Sequence, residues 1–296
     1  MLPLFFLIIF CVIPLHGIEI EITGGVGDIS FDTGSKEFLG SDIDPQPFAP
    51  HFYPLIKAVV SGESGFIYYR GGFEREPILR NRIFANVGIN LNFFNIDVGP
   101  FVGIFNTQQQ MFNPGLSIAL GLQVPGIIFM NLHASSSLGG ALKTIGENYQ
   151  SDGAITAGFY VPYVICSFNL ETRSFSHNRE SNLLTEDSLT KYFFRADVFT
   201  KNVPFTVRID MGYGMLKRIY YSQSILEGPP PELVSDALID EFKFVYVGAG
   251  VTFNINSTVS ILFSGEVPVY YWSVPKMKNL EKGVLFNATA GVVLTF

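Results

Sequence analysis

The chain has 296 residues, of which 48% are hydrophobic, 15% aromatic and only 15% charged, with a formal net charge of -7. So apolar a chain must cross a bilayer as helices or hide its apolar surface by alternation along strands; beyond the N-terminus no apolar run approaches the roughly eighteen residues of a helical span, so alternation is left. An acidic balance with no basic stripe excludes nucleic acid as a partner.

Residues 1–17 contain no Lys, Arg, Asp or Glu and read as a secretory signal, with an apolar core from Leu4 to Ile13 and cleavage after Leu15-His16-Gly17. An uncleaved anchor is the competing reading, against which stand the short run and Pro14. The neighbours of Cys11 are too large for a lipoprotein box, so the mature chain keeps Cys166 alone and has no intramolecular disulfide or cysteine metal cluster. No cofactor or metal is expected.

A first strand starts at Ile18, with Ile20 and Ile22 against Glu19, Glu21 and Thr23, and Gly24 to Gly27 reads as a bulge that shifts parity to Ile29 and Phe31. After a Pro- and Asp-rich loop, residues 34–54, residues 55–61 and 65–74 read as a hairpin about Gly62-Glu63-Ser64, its first arm the weaker. Ile83, Ala85, Val87, Ile89, Leu91 and Phe93 share one parity and Arg82, Phe84, Asn86, Gly88, Asn90 and Asn92 the other, a sorting no helix gives. A turn at Phe94-Asn95 leads to a strand over 96–104, where Pro100 predicts a bulge or an interruption.

Residues 116–123 and 128–135 alternate about a turn at Val124-Pro125-Gly126, and residues 138–152 read as a polar loop. Residues 153–161 and 164–173 follow about Pro162, with Cys166 on the apolar face as a small hydrophobe. A charged loop over 174–190 precedes strands over 191–198 and 205–215, joined at Lys201-Asn202-Val203. The longest connection, 217–241, carries Gly228-Pro229-Pro230-Pro231; strands over 245–253 and 259–267 then turn at Asn254-Ile255-Asn256, and a loop with Trp272 leads to the last strand.

These are about fourteen strands, twelve if the weaker arms fail. Connections near 62, 95, 125, 162, 202 and 255 are tight, and those between them run from about seven to about twenty-five residues, the wiring of a membrane barrel with short periplasmic turns and long external loops. The pattern predicts an all-β chain: a transmembrane antiparallel up-and-down barrel over 18–296, with both termini periplasmic. Aromatics near strand ends suit interfacial girdles: Tyr68, Tyr69, Phe105, Tyr192, Tyr270, Tyr271 and Trp272 at the loop end, Phe93, Phe94, Tyr160, Tyr163 and Phe205 at the turn end. A secreted β-sandwich, the alternative, would not align so many large apolar side chains on one face.

From Val284 to Phe296 every second residue is apolar, Phe286, Ala288, Ala290, Val292 and Leu294 among them, and the chain ends on an aromatic. This stretch resembles the closing strand of bacterial outer-membrane β-barrels, whose final aromatic residue belongs to the assembly signal. The resemblance implies an outer-membrane location and the barrel-assembly machinery as a partner through Phe296. The run Gly72-Phe73-Glu74-Arg75-Glu76-Pro77-Ile78-Leu79-Arg80-Asn81-Arg82, with Gly99-Pro100 and Lys201-Asn202-Val203-Pro204, resembles uncharacterised outer-membrane barrels of spirochaetes such as treponemes, which implies a location and no activity.

With the apolar parity toward lipid, the other meets the lumen. It carries Arg82, Asp97, Glu171, Arg173, Arg195, Asp197, Arg208 and Asp210, with Lys243 and Glu266, among many Gly, Ser, Asn and Thr. Arg195 and Asp197 should face Arg208 and Asp210 across the turn near 202. Such charges either form a constriction that sorts solutes or neutralise one another and fill the bore, and the sequence leaves both open. Fourteen strands lie between filled eight-stranded barrels and open pores of sixteen or more.

No enzyme is expected. His133-Ala134-Ser135 has the spacing of outer-membrane phospholipases, but falls on the lumen parity, where it cannot meet bilayer lipid; His177, beside Ser176, lacks an orienting carboxylate. The expected function is passive diffusion of small solutes through an outer-membrane channel. The alternative is a structural or adhesive role through the long loops, with 217–241 as the place for an external ligand.

Overall fold

Alternation of apolar with small or polar residues suits a backbone whose two faces meet different surroundings, and the computed structural model forms it fourteen times. It describes residues 17–28, 53–104, 112–138, 149–180, 183–199, 203–222, 238–273 and 286–296. The strands are β1 (Glu19–Asp28), β2 (Tyr53–Ser64), β3 (Ile67–Glu76), β4 (Arg80–Leu91), β5 (Phe94–Ile104), β6 (Phe112–Val124) and β7 (Ile128–Ser137). They continue as β8 (Tyr149–Val161), β9 (Val164–Glu180), β10 (Leu183–Phe199), β11 (Phe205–Ser222), β12 (Leu238–Asn254), β13 (Val259–Ser273) and β14 (Phe286–Thr295). Each pairs antiparallel with its sequence neighbours, and β1 pairs with β14 to close the barrel. Closure leaves no sheet edge unpaired, which hydrocarbon requires of any spanning sheet.

The outer face is apolar. Val87, Ile89, Val98, Leu116, Ile118, Leu122, Ile155, Ile209, Met211 and Phe263 are all exposed there, an arrangement water disfavours and lipid tails do not. Exposed aromatics ring the end that carries the short turns, namely Phe66, Phe93, Tyr163, Phe205 and Phe253, with Phe112, Tyr192 and Tyr270 nearer the other end. Tyr68 and Tyr69 depart from the expected girdle: β3 starts at Ile67, so both lie at the turn end. Both described termini lie at that end too, where the Phe296 amide donates to the Ile18 carbonyl at 2.8 Å.

Several boundaries differ from the sequence reading. The Gly24–Gly27 run holds no bulge, for β1 pairs without a shift along both its partners; Ile29 and Phe31 lie outside the described residues, as do residues 1–16 with the expected signal core and Cys11. The shift falls in β13 instead, where Val245 pairs Tyr270 and Tyr246 pairs Pro268, leaving Val269 as the extra residue beside a proline that cannot donate. At Pro100 the pairing of β4 with β5 lapses between Phe84–Phe101 and Val87–Val98 with the register kept, an interruption without a bulge. The first hairpin turns at Gly65, φ +64°, not at Gly62. Gly62 pairs with Tyr69 inside the sheet, and a Cβ there would meet the Tyr69 hydroxyl at 2.3 Å. Its glycine makes room for a ring.

Three loops are shorter than expected. Residues 174–190 pair as β9 and β10 as far as Leu183 and Glu180, residues 217–222 and 238–241 belong to β11 and β12, and β3 joins β4 through residues 77–79 alone. Short and long connections therefore do not strictly alternate. The reason is general: above the bilayer a hairpin needs only backbone pairing, so polar sequence without alternation still extends a strand. The remainder of the long connections lies outside the described residues.

Candidate functional site

Nine of the ten charged residues singled out in the sequence stand on the inward parity of their strands, all but Lys243, and hydrogen bonds tie them to partners. Asp197 pairs with Arg208 and Arg195 with Asp210 directly across β10 and β11. Arg195 Nε donates to Asp210 Oδ1 at 2.8 Å and Arg208 Nε to Asp197 Oδ1 at 3.1 Å. The first pair is the more enclosed, its guanidinium lying 5.2 Å from the Phe193 ring; Arg208 is 45% exposed toward the lumen. Asp97 accepts from Asn86 Nδ2 at 2.7 Å.

Some of the other ion pairs join strands that are not neighbours and so cross the bore, whereas Arg82–Glu74 lies across adjacent β4 and β3 and Arg173–Glu171 within β9. Arg173 on β9 reaches Glu76 on β3 at 2.6 Å and Glu171 at 3.2 Å. Arg82 on β4 bonds Asp152 on β8 at 2.6 Å, Glu74 on β3 at 2.8 Å and Ser135 Oγ on β7 at 3.1 Å. Lys191 on β10 pairs with Glu266 on β13. Charges withdrawn from bulk water are costly unless matched in this way.

Sequence reading missed several of these partners. Asp152 was expected in a loop, but β8 starts at Tyr149 and turns it inward. There it accepts from Arg82 and Ser135 and lies 2.9 Å from His133 Nε2. His133 and Ser135 thus both serve Asp152 rather than each other, inside the barrel and away from lipid; His177 lies in β9, its side chain outside the described ones. Glu76 ends β3, beyond the expected strand end at 74. Lys243 is a correction: it shares the parity of Val245 and Val247, pairs across to Met215, and bonds Glu241 at 3.3 Å. The β13 bulge leaves β12 straight, so its parity never changes.

The inward face also holds an apolar mass, which small polar residues in the alternation gave no reason to expect. Ile78, Phe175, Leu189, Phe193, Leu216, Phe242, Phe244 and Tyr246 pack into one buried cluster. Ile78 enters it from the β3–β4 connection, which folds into the mouth. The Leu79 amide donates to Glu76 Oε1 at 2.7 Å, and Gln150 Nε2 holds the Leu79 carbonyl. Glycines opposite the rings give them space: a Cβ on Gly214 would lie 2.3 Å from Phe244, and one on Gly115 2.2 Å from Phe101. Such ring-over-glycine pairs fix register on both faces of a curved sheet.

The struts reach from β3 and β4 to β8 and β9, the cluster packs on β9–β12, and a cavity of about 770 Å³ lies chiefly against β1–β3 and β10–β14. Its wall includes Glu21, Thr23, Lys57, Arg70, Glu74 and Glu76 on one side and Asp197, Thr206, Arg208, Thr252, Ser264 and Glu266 on the other. On β1 alone the lining runs from Glu21 to Gly27, about 20 Å of strand. It reaches from Thr206 and Thr252, beside the short turns, to Glu76, Pro77 and Ile78 at the opposite mouth. Arg173, Asp197, Arg208 and Glu266 line it among the ten predicted residues; the other six do not.

A closed fourteen-stranded barrel with an apolar outer belt and a charged interior is a bacterial outer-membrane β-barrel in architecture. No protein-family model and no curated protein matches the chain. Solved structures similar to it include a bacterial polysaccharide outer membrane secretin, at 10% identity over 94% of this chain and 97% of that one, TM-score 0.46. An outer membrane channel from Pseudomonas putida F1 is similar at 7% identity, over 96% and 97% with TM-score 0.48, and a porin at 9%, over 94% and 99% with TM-score 0.43. Likenesses this distant say nothing of what this chain carries.

Proposed function

We propose that the protein is an outer-membrane channel through which small polar solutes diffuse passively. The observation that carries this reading is the cavity of about 770 Å³ whose lining runs from beside the short turns to the opposite mouth. A volume of that order suits a small solute with part of its hydration shell and not a long oligosaccharide. In this reading the cross-lumen ion pairs fill part of the section as rigid packing, and Arg208–Asp197, the more exposed pair, forms the constriction. The short turns and both chain termini face the periplasm, residues 1–17 act as the export signal, and Phe296 engages the assembly machinery.

Liposome swelling tests it. Proteoliposomes should swell in arabinose and glucose and fail to swell in a tetrasaccharide. Absence of swelling in every sugar, from protein that is folded and inserted, would refute the channel.

A surface-binding role is the second reading, and one observation favours it. Strands β9 to β12 have 17 or 18 residues, whereas a bilayer needs about 9 to 11; these four extend past the belt as a wall at the loop end. Binding to host or matrix components that survives deletion of residues 223–237 but not loss of this wall would place function there.

A further inference from the structure

The charges around the cavity are unevenly matched. Its carboxylates are all engaged: Glu21 by Lys57 at 2.7 Å, Glu76 by Arg173, Asp197 by Arg208, Glu266 by Lys191, and Glu74 by Arg82. The cations are not. Among the described residues Arg70, on the inward face of β3, makes neither an ion pair nor a hydrogen bond; its guanidinium lies 5.3 Å from the Phe84 ring. Arg75, also in the lining, lies over Tyr53 at 5.2 Å, and its Nε is buried with no acceptor. The lining cations without an ion pair are therefore both on β3, with Arg75 nearer the loop end and Arg70 deeper; Arg80 on β4, 5.5 Å from the same Tyr53 ring, is a third beyond the lining.

A guanidinium stacked on an aromatic face keeps its plane fixed and its outer N–H groups free, the geometry that takes a carboxylate through two parallel bonds. The remainder of the wall is apolar in places, through Leu55, Leu189, Phe244 and Leu262. A site with two fixed cations, apolar walls and no carboxylate left to bind a further cation holds a small organic anion more tightly than a neutral sugar or a metal ion, which pass without being held. We infer that the cavity binds small organic monocarboxylates, with Arg70 holding the carboxylate and the apolar wall receiving the body of the anion. This rests on the reading of the cavity as the solute path and names the class of solute that path prefers.

Calorimetric titration of the full chain in detergent micelles tests the site without requiring conduction. The probes are benzoate, benzamide and inorganic phosphate, against wild type, Arg70→Gln and Arg70→Lys, all shown folded by circular dichroism. The site predicts that wild type binds benzoate at least roughly tenfold more tightly than benzamide, as loss of a charge-assisted pair implies. Phosphate should bind more weakly than benzoate, Arg70→Gln should lose the preference for benzoate, and Arg70→Lys should recover part of it. Equal binding of benzoate and benzamide, an unchanged preference in Arg70→Gln, or phosphate as tight as benzoate would each overturn it. Benzoate should also interrupt single-channel current in wild type. Selective benzoate binding by a protein that conducts no current would refute the channel while sustaining the site, so the two failures are distinct.

Discussion

Replacing Arg82 with Met tests whether the cross-lumen struts hold the barrel together. Arg82 is 12% exposed in its side chain and bonds Asp152 at 2.6 Å, Glu74 at 2.8 Å and Ser135 at 3.1 Å, with the Phe101 ring 5.6 Å beneath it. Met keeps the packing over Phe101 and removes the charge. Stranding a buried partner costs about 3 to 5 kcal/mol. Asp152 retains Ser135 and His133, and Glu74 is 24% exposed, so the lower end, about 3 kcal/mol, is expected. Adding Asp152→Asn to Arg82→Met removes the stranded charge, so the double variant should recover about 1 kcal/mol or more relative to the sum of the singles. Urea unfolding of protein inserted in thin-bilayer vesicles, followed by its single tryptophan, reads both. A loss below about 1 kcal/mol for Arg82→Met, or strict additivity in the double, would refute the strut.

Ile118→Arg, mid-strand on the outer face and 43% exposed, should destabilise the inserted barrel by about 2 to 4 kcal/mol in the same assay, and the change should vanish in a refolding yield measured without lipid depth. Gly214→Val would drive a side chain into Phe244, 2.3 Å from the Cβ position, and should cost about 1 to 3 kcal/mol, largely relieved by Phe244→Ala in the same chain. Ile78→Ala should destabilise by about 2 to 5 kcal/mol, because Ile78 fills the cluster from the β3–β4 connection at 4% exposure; single-channel current should rise with it, since the mouth widens.

The outer face was legible from sequence because lipid imposes one demand on every residue that meets it. Val87, Ile89, Leu116, Ile118, Ile209 and Met211 all stand where period two put them. The inner face obeys no such demand. Phe84, Phe101, Phe193 and Phe244 share the lumen parity with Arg82, Asp97, Arg195 and Asp210, and only the closure of the barrel shows that the rings gather into packing and leave the cavity elsewhere. Neighbouring pairs such as Arg195 with Asp210 followed from the turn near 202, whereas the partners of Arg82 and Arg173 lie on strands far along the chain, beyond anything spacing conveys. Asp152 was hidden for a further reason: a strand that rises past the bilayer loses its apolar alternation, so its first residues, Tyr149 to Asp152, look like loop.

The most direct test of a solute path along this cavity is the current through single molecules in a planar bilayer, in wild type and in an Asp197→Ala, Arg208→Ala variant. A steady, open-state conductance in wild type and an altered cation-to-anion preference in the variant are the predicted results. Protein that inserts yet passes no current, or a variant whose ion preference matches wild type, would contradict a channel constricted at Arg208 and Asp197.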